Sequence, residues 1–436
     1  MTDQDTENEI ASIRALSEEI IETVARIHPS NLRPKLGSFP PSEVPDSQRG
    51  IPGFNFSIPL NFDDGTEWVI RFPLKTRIAV ALMNRKILSE VATIKWLKTN
   101  TSIPCPTIHA FDAEGNVDWN ATGRHCLIMD RVKGRSLRNL EWRDMLSAQR
   151  NKVLQQIAGV MVELGSHHFD GIGSLVEHPD GSIAAGSLLE ITINQYCIKT
   201  GHWKSFIDRA TPYPTVMEYF FDLCNKRLLY ETMQVKDERI SYEFTNLWIL
   251  RSLLPSLVLP EFNNGPFILQ NGFLRREIVF FDEEYNLTGI INWEFSQTIP
   301  MQATMVPPPF LSILPLVPSW TQSQLTDCYQ QASTIYRELL RTLEIKSAND
   351  GGPLKIQADL RKFSESPFGA SVCTVDYILT AGLDQLTTTF WTHIFKPFFG
   401  DLSHYHFRKT VKTRPGVVAE FNRLRVFISR IYRSKS

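Results

Sequence analysis

A chain of 436 residues is roughly two to three times the length of a common single domain, so at least two packed units are expected. With 42% hydrophobic and 21% charged residues, wholesale disorder is excluded. The 46 basic and 47 acidic side chains leave a formal charge of -1, which gives no overall pull toward nucleic acid or an anionic membrane; any charged partner must be recognised locally.

The opening residues, MTDQDTENEI, are acidic where a secretory or mitochondrial signal would be basic, and no apolar core follows them. Ile10, Ile13, Leu16, Ile20, Ile21, Val24 and Ile27 then recur at three- and four-residue steps, which predicts one amphipathic helix docked on a core. A loop rich in proline and serine runs from His28 to Pro52. Beyond it the period changes to two. Phe54, Phe56, Ile58, Leu60 and Phe62 alternate, Asp63-Asp64-Gly65 supplies a turn, and Trp68, Ile70 and Phe72 alternate again, predicting a hairpin with one apolar face.

Val80 to Leu97 returns to helical spacing and carries Glu90; Thr101 to Pro106 is a proline-bounded exit. His125 to Val132 is a strand candidate containing Met129 and Asp130, followed by Lys133-Gly134-Arg135 as a glycine crossover. Asp144 to His167 and Val216 to Leu257 read as helices, Pro266 to Phe295 as a second strand-rich island, and the remainder as mainly helical. This order predicts an α+β chain, a small sheet-plus-helix unit joined to a larger helical one.

The six cysteines are widely dispersed, with no Cys-x-x-Cys pair, and reduced thiols are the simpler reading. The longest apolar stretch, Val306 to Trp320, is interrupted by five prolines and two serines and is a poor membrane span. His167-His168 lacks a third ligand at suitable spacing, and Gly171-x-Gly173 lacks the third glycine of a dinucleotide loop, so neither is read as a site. The last 36 residues hold nine Lys or Arg against Asp401 and Glu420, with Val417, Phe421, Leu424, Val426, Phe427 and Ile431 at helical intervals. A solvated face on a docked terminal helix is the simpler account, and a membrane-surface or RNA patch the alternative.

The island reads PFILQNGFLRREIVFFDEEYNLTGIINWEF. With its flanks it resembles the aminoglycoside-phosphotransferase-like and choline-kinase-like family of the protein-kinase-like superfamily, particularly the fungal branch. FNFSIPLNFDDGTEWVIRFP resembles that family's first hairpin, SEVATIKWLKTNTSIPCPTIHAFD its helix and following loop, LIMDRVKGRSL its hinge, and FDGIGSL a segment of its larger lobe. TIPMQATMVPPP is similar to the continuation after the island, so the resemblance spans roughly residues 50 to 312. It implies a two-lobed protein-kinase-like fold: residues 1–131 as the N-terminal lobe with its preceding helix, and 132–436 as a mainly helical C-terminal lobe.

The resemblance also shows what has been lost. The family's loop His falls on Asn271, its catalytic Asp on Phe273, its metal-binding Asn on Ile278 and its metal-binding Asp on Asn292, while Gly272, Asp282, Gly289 and Trp293 match. Phosphoryl transfer needs a carboxylate near the acceptor hydroxyl and hard oxygen ligands for Mg²⁺. Phe273 and Ile278 offer no lone pair to either. A positioned base alone is worth ~10²- to 10⁴-fold in rate.

Arg71 matches the basic residue aimed at nucleotide phosphates and Glu90 its helix partner, an ordinary interlobe ion pair being the equal alternative. Met129, Asp130, Arg275, Arg276 and Glu294 complete the candidate cleft. For Arg275 and Arg276, pairing with Glu277, Asp282 or Glu283 is a simpler use than holding an anion.

No metal and no cofactor are expected. Phe273, Ile278, Phe280 and Phe281 make the loop region apolar, so the favoured expectation is a cytoplasmic small-molecule-binding or non-kinase tailoring protein of fungal specialised metabolism. It has a ligand in the interlobe cleft, no nucleic acid, no membrane span and room for a protein partner. The alternatives are a pseudokinase scaffold with a filled cleft and a phosphotransferase with relocated metal ligands, Asp282 or Glu294.

Overall fold

The computed structural model of the chain describes residues 3–39, 53–115, 120–140, 145–202, 204, 206, 209–234, 240–272, 274–305, 366–380 and 390–433, with isolated positions between 334 and 345. Two helices, α1 (Asp3–Arg14) and α2 (Ser17–Ile27), stand where the spacing predicted one. Leu16, at φ -91° and ψ 32°, leaves the helical region, and the Ser17 hydroxyl donates to the Arg14 carbonyl at 2.7 Å. The bend lets Ile13, Ile20 and Val24 reach one core, where all three are fully buried.

That core is one face of a five-stranded antiparallel sheet. Its strands are β1 (Lys35–Leu36), β2 (Asn55–Asn61), β3 (Glu67–Pro73), β4 (Ile108–Asp112) and β5 (Cys126–Asp130), in the order β1-β2-β3-β5-β4. Register from Asn55↔Pro73 to Asn61↔Glu67 puts Phe56, Ile58, Leu60, Trp68, Ile70 and Phe72 on the face that α1 and α2 cover, as the alternation predicted. The opposite face is not left to solvent. Val69, Leu127 and Met129 pack there against Ile87 and Val91 of α3 (Met83–Asn100), so both sides of β3 are buried. The C-terminal half of α3, through Ile94, Trp96 and Leu97, joins the core of the larger lobe.

After β5, Gly134 takes φ +103°, and a Cβ there would lie 2.4 Å from the Phe281 carbonyl oxygen, so the crossover needs glycine on both counts. Next come β6 (Arg135–Ser136), α4 (Ser147–Gly165), β7 (Leu175–Glu177), β8 (Ile183–Ala185), α5 (Ile191–Thr200), α6 (Val216–Gln234) and α7 (Tyr242–Leu257). The island supplies β9 (Phe267–Gln270), β10 (Val279–Phe281) and β11 (Leu287–Ile290); β12 (Gln297–Pro300) pairs back on β9, and β10 lies between β11 and β6. Helices α8 (Pro367–Thr380), α9 (His404–Lys412) and α10 (Pro415–Arg433) complete the described chain. A small sheet-plus-helix lobe thus meets a larger, mainly helical one, the two-lobed α+β arrangement expected.

Gly173 serves packing: a Cβ would sit 1.9 Å from the Gly186 carbonyl oxygen. Among the described residues no helix is long and apolar enough to cross a membrane; Val306 to Trp320 lies outside them. The apolar positions of the terminal helix divide, Ile431 apart, whose side chain lies outside the described residues. Val417, Phe421 and Leu424 dock on the larger lobe, whereas Val426 and Phe427 are 52% and 46% exposed, so these two do not belong to the docked face that their spacing suggested.

Candidate functional site

The site is assembled from the middle of β3, one face of α3 and the turn after β11. On β3, Arg71 alternates out of the apolar face and points at α3, where its Nη1 donates to Glu90 Oε1 at 2.6 Å. Its Nη2 donates to Asn292 Oδ1 at 2.7 Å and lies 3.5 Å from Glu294 Oε2. Asn292 reaches the guanidinium because its backbone is left-handed, φ +61°, a conformation that asparagine tolerates better than most residues. Phe295, three residues on, is also left-handed at φ +56°, which is unusual for a bulky side chain.

Lys86, one turn before Glu90, closes the arrangement. Its ammonium bonds Glu294 Oε2, lies 3.8 Å from Glu90 Oε2, and donates to Asn55 Oδ1 at 2.9 Å. The Asn55 amide in turn donates to Glu294 Oε2 at 2.7 Å. Lys86, Glu90 and Glu294 are each 1–2% exposed and Arg71 is 8% exposed. Two cations and two carboxylates therefore neutralise one another away from water. Burial alone would raise the Glu294 carboxyl, but the Lys86 ammonium, the Arg71 guanidinium and the Asn55 amide outweigh it and hold the group below its ordinary range. The same pairing holds Arg71 protonated against its own desolvation.

The rest of the degenerate loop adjoins this cluster. Asn271 is buried and its amide donates to the Asn292 carbonyl at 3.3 Å. A Cβ on Gly272 would meet the Phe295 carbonyl oxygen at 2.5 Å, so loop and turn approach at a distance only glycine permits. Phe273 lies outside the described residues. Ile278 is 7% exposed and Phe281 fully buried; both belong to the larger lobe's core with Leu137, Leu140, Ile290 and Trp293. Two of the four side chains expected to make the loop region apolar thus belong to that core, while Phe280 is half-buried.

The other candidates are held elsewhere. Met129 is buried against Val69 and Val91. The Asp130 carboxylate accepts from the Thr107 amide at 3.0 Å and from His109 Nε2 at 2.7 Å; burial opposes its charge, and those bonds still keep it below the usual range. Asp282 caps its own turn by accepting from the Asn286 amide at 2.7 Å and side chain at 2.9 Å. Glu277 faces Arg138 at 3.7 Å, and Arg275 and Arg276 precede it on the loop. Among the described residues there is no group of three or more His, Cys, Asp or Glu able to hold a metal ion. Lys86 and Asn55 were missed from sequence, although Lys86 lies at i-4 from Glu90 and Asn55 is a lone amide between Phe54 and Phe56.

A strand cation paired to a helix glutamate is an arrangement also found in protein kinases. The chain's structural neighbours are phosphotransferases. No protein-family model matches the chain, and no curated protein matches it in sequence. Among solved structures it is similar to the ADP-bound aminoglycoside phosphotransferase APH(2'')-Ib, at 11% identity and a TM-score of 0.41, over 90% of this chain and 92% of that one. It is similar also to the GDP and kanamycin complex of APH(2'')-IIIa, at 12% and 0.42 over 91% and 98%, and to a macrolide 2'-phosphotransferase type I, at 11% and 0.38 over 87% and 97%. Identities and scores this low carry nothing about chemistry.

Proposed function

We propose that this chain is a degenerate relative of the aminoglycoside-phosphotransferase-like proteins that does not transfer phosphoryl groups from a magnesium nucleotide. One observation carries the reading: the guanidinium of Arg71, the group placed for a phosphate, is already bonded to Glu90 and Asn292 and faces Glu294 at 3.5 Å. A phosphate approaching Arg71 would meet the Glu294 carboxylate and would have to displace Asn292. The reading with relocated metal ligands fares no better, because Asp282 is spent on its turn and Glu294 on Lys86.

Between the two silent readings the geometry favours a pseudokinase-like scaffold whose centre is filled by its own charges. Ile278 and Phe281, two of the four side chains behind the apolar loop region, are spent on the core. A small-molecule role in fungal specialised metabolism stays the competing reading, carried by resemblance, as does the division of the lobes at residues 131 and 132. A thermal-shift series with ATP, with and without Mg²⁺, tests the first step. No magnesium-dependent rise at millimolar nucleotide is expected, and a clear rise overturns the proposal. Metabolite profiling after deletion of the gene tests the second, since accumulation of one precursor would replace the scaffold with a tailoring role.

A further inference from the structure

Helix α10 presents two unlike faces. Val417, Phe421 and Leu424 are 0%, 1% and 8% exposed and dock on the larger lobe. On the outer face Val426 and Phe427 stand 52% and 46% exposed, at the centre of a row that also carries Arg423 and Arg430. Arg423 lies three and four residues before them and Arg430 four and three after, so on a helix each arginine is a direct neighbour of both apolar side chains. The Arg423 side chain is 67% exposed, and Arg430 is exposed too. The nearest acid, Glu420, is drawn inward by Arg251 at 3.2 Å and also holds Arg423 at 2.8 Å. That acid is neutralised, and the outer face keeps a positive balance.

We propose that this outer face of α10 is a docking surface for anionic lipid headgroups at a membrane–water interface. A bilayer interface accepts both halves of the patch together, phosphate and carboxylate groups taking the arginines while the phenylalanine ring and valine sit at the acyl boundary. An acidic protein surface would satisfy the arginines and leave Val426 and Phe427 against charge. A second copy of the chain would bury far too little, because a stable interface needs ~800 Å² per partner and two half-exposed side chains supply a small part of it. The near-zero net charge of the whole chain does not oppose the docking, since beyond a Debye length of about 8 Å only the local patch is felt.

The test is co-sedimentation of the full chain with vesicles of phosphatidylcholine, with and without phosphatidylserine. Wild type is expected to sediment with the phosphatidylserine vesicles only, and to be released as salt is raised. Arg423→Gln/Arg430→Gln should lower the bound fraction by about fivefold per charge removed, and Val426→Ser/Phe427→Ser by at least as much in total. All four side chains are exposed, so both variants should melt as wild type does; if the serine pair fails to fold, the arginine pair still decides. No phosphatidylserine-dependent sedimentation of wild type overturns the proposal, as does undiminished binding by the arginine pair. A dimer seen by sedimentation velocity and abolished by the serine substitutions would assign the face to a second copy, and overturns it as well.

Discussion

Glu294 is a carboxylate held almost entirely out of water, a setting that ordinarily drives such a group neutral. It stays charged because Lys86, Arg71 and Asn55 converge on it. Taking away one charge of a closed buried set leaves another unpaired, which costs ~3–5 kcal/mol. Glu294→Gln is therefore expected to destabilise the protein by that order in urea titration, with the Lys86 ammonium as the orphan. Lys86→Met in the same chain should return part of the loss, giving a coupling of ~1–3 kcal/mol in the double-mutant cycle; additive losses would refute the network. The pH sign follows from the depressed folded value. The stabilisation is present above the unfolded glutamate value of about 4.3 and lost as pH falls through the lower folded one, and Glu294→Gln should flatten that acid limb. Arg71, Glu90, Asn292 and Glu294 could be singled out in the sequence because each sits in a stretch that resembles a family motif, and the structure brings the four together. Lys86 and Asn55 could not be, since nothing local announces that an amide on β2 and an ammonium on α3 share one carboxylate 239 and 208 residues further along the chain.

At the scale of elements, periodicity was the reliable signal. The two-residue alternation of β2 and β3 and the helical spacing of α3, α6 and α7 all appear in the structure, because one buried face enforces one period. What periodicity cannot see is a bend that preserves it. Ile13 and Ile20 keep helical spacing across Leu16, yet the axis turns there so that both can reach the same sheet. Glycines mark the close approaches with similar ambiguity. Gly65 and Gly134 both take positive φ, but open space surrounds Gly65, whereas at Gly134 a Cβ would strike the Phe281 carbonyl oxygen at 2.4 Å. Gly65→Ala should thus cost only the backbone term, ~1–2 kcal/mol, and Gly134→Ala distinctly more, because β6 must move off β10. Equal melting temperatures for the two variants would show that the crossover is not a close contact.

Over the whole molecule, the order of strands and helices was enough to predict an α+β chain in two lobes, while the pairings that join distant segments, such as β6 on β10 and β9 on β12, were not legible. Pairing partners far apart in sequence leave no local pattern. Buried acids in the larger lobe were equally invisible from sequence. Asp376, on α8, is 7% exposed; burial pushes its carboxyl up to about 7, the nearby Glu190 adds to this, and the Tyr219 hydroxyl offsets part of it. Glu231, on α6, is pushed up to about 7 by burial and by Glu243, against Arg227 and Lys199. A carboxyl with a raised folded value keeps its proton in the folded chain between about pH 4 and 7, where the unfolded chain has lost it. Folding then takes up protons, so stability falls as pH rises through that window and levels off above it, opposite to the Glu294 limb below it. The melting temperature is accordingly expected to be higher near pH 5 than near pH 8. Asp376→Asn removes the cost of a buried charge and should stabilise the protein by ~2–4 kcal/mol at pH 8 and clearly less at pH 5. An effect of equal size at the two pH values would mean that Asp376 is already ionised in the folded state throughout, with a cation beside it.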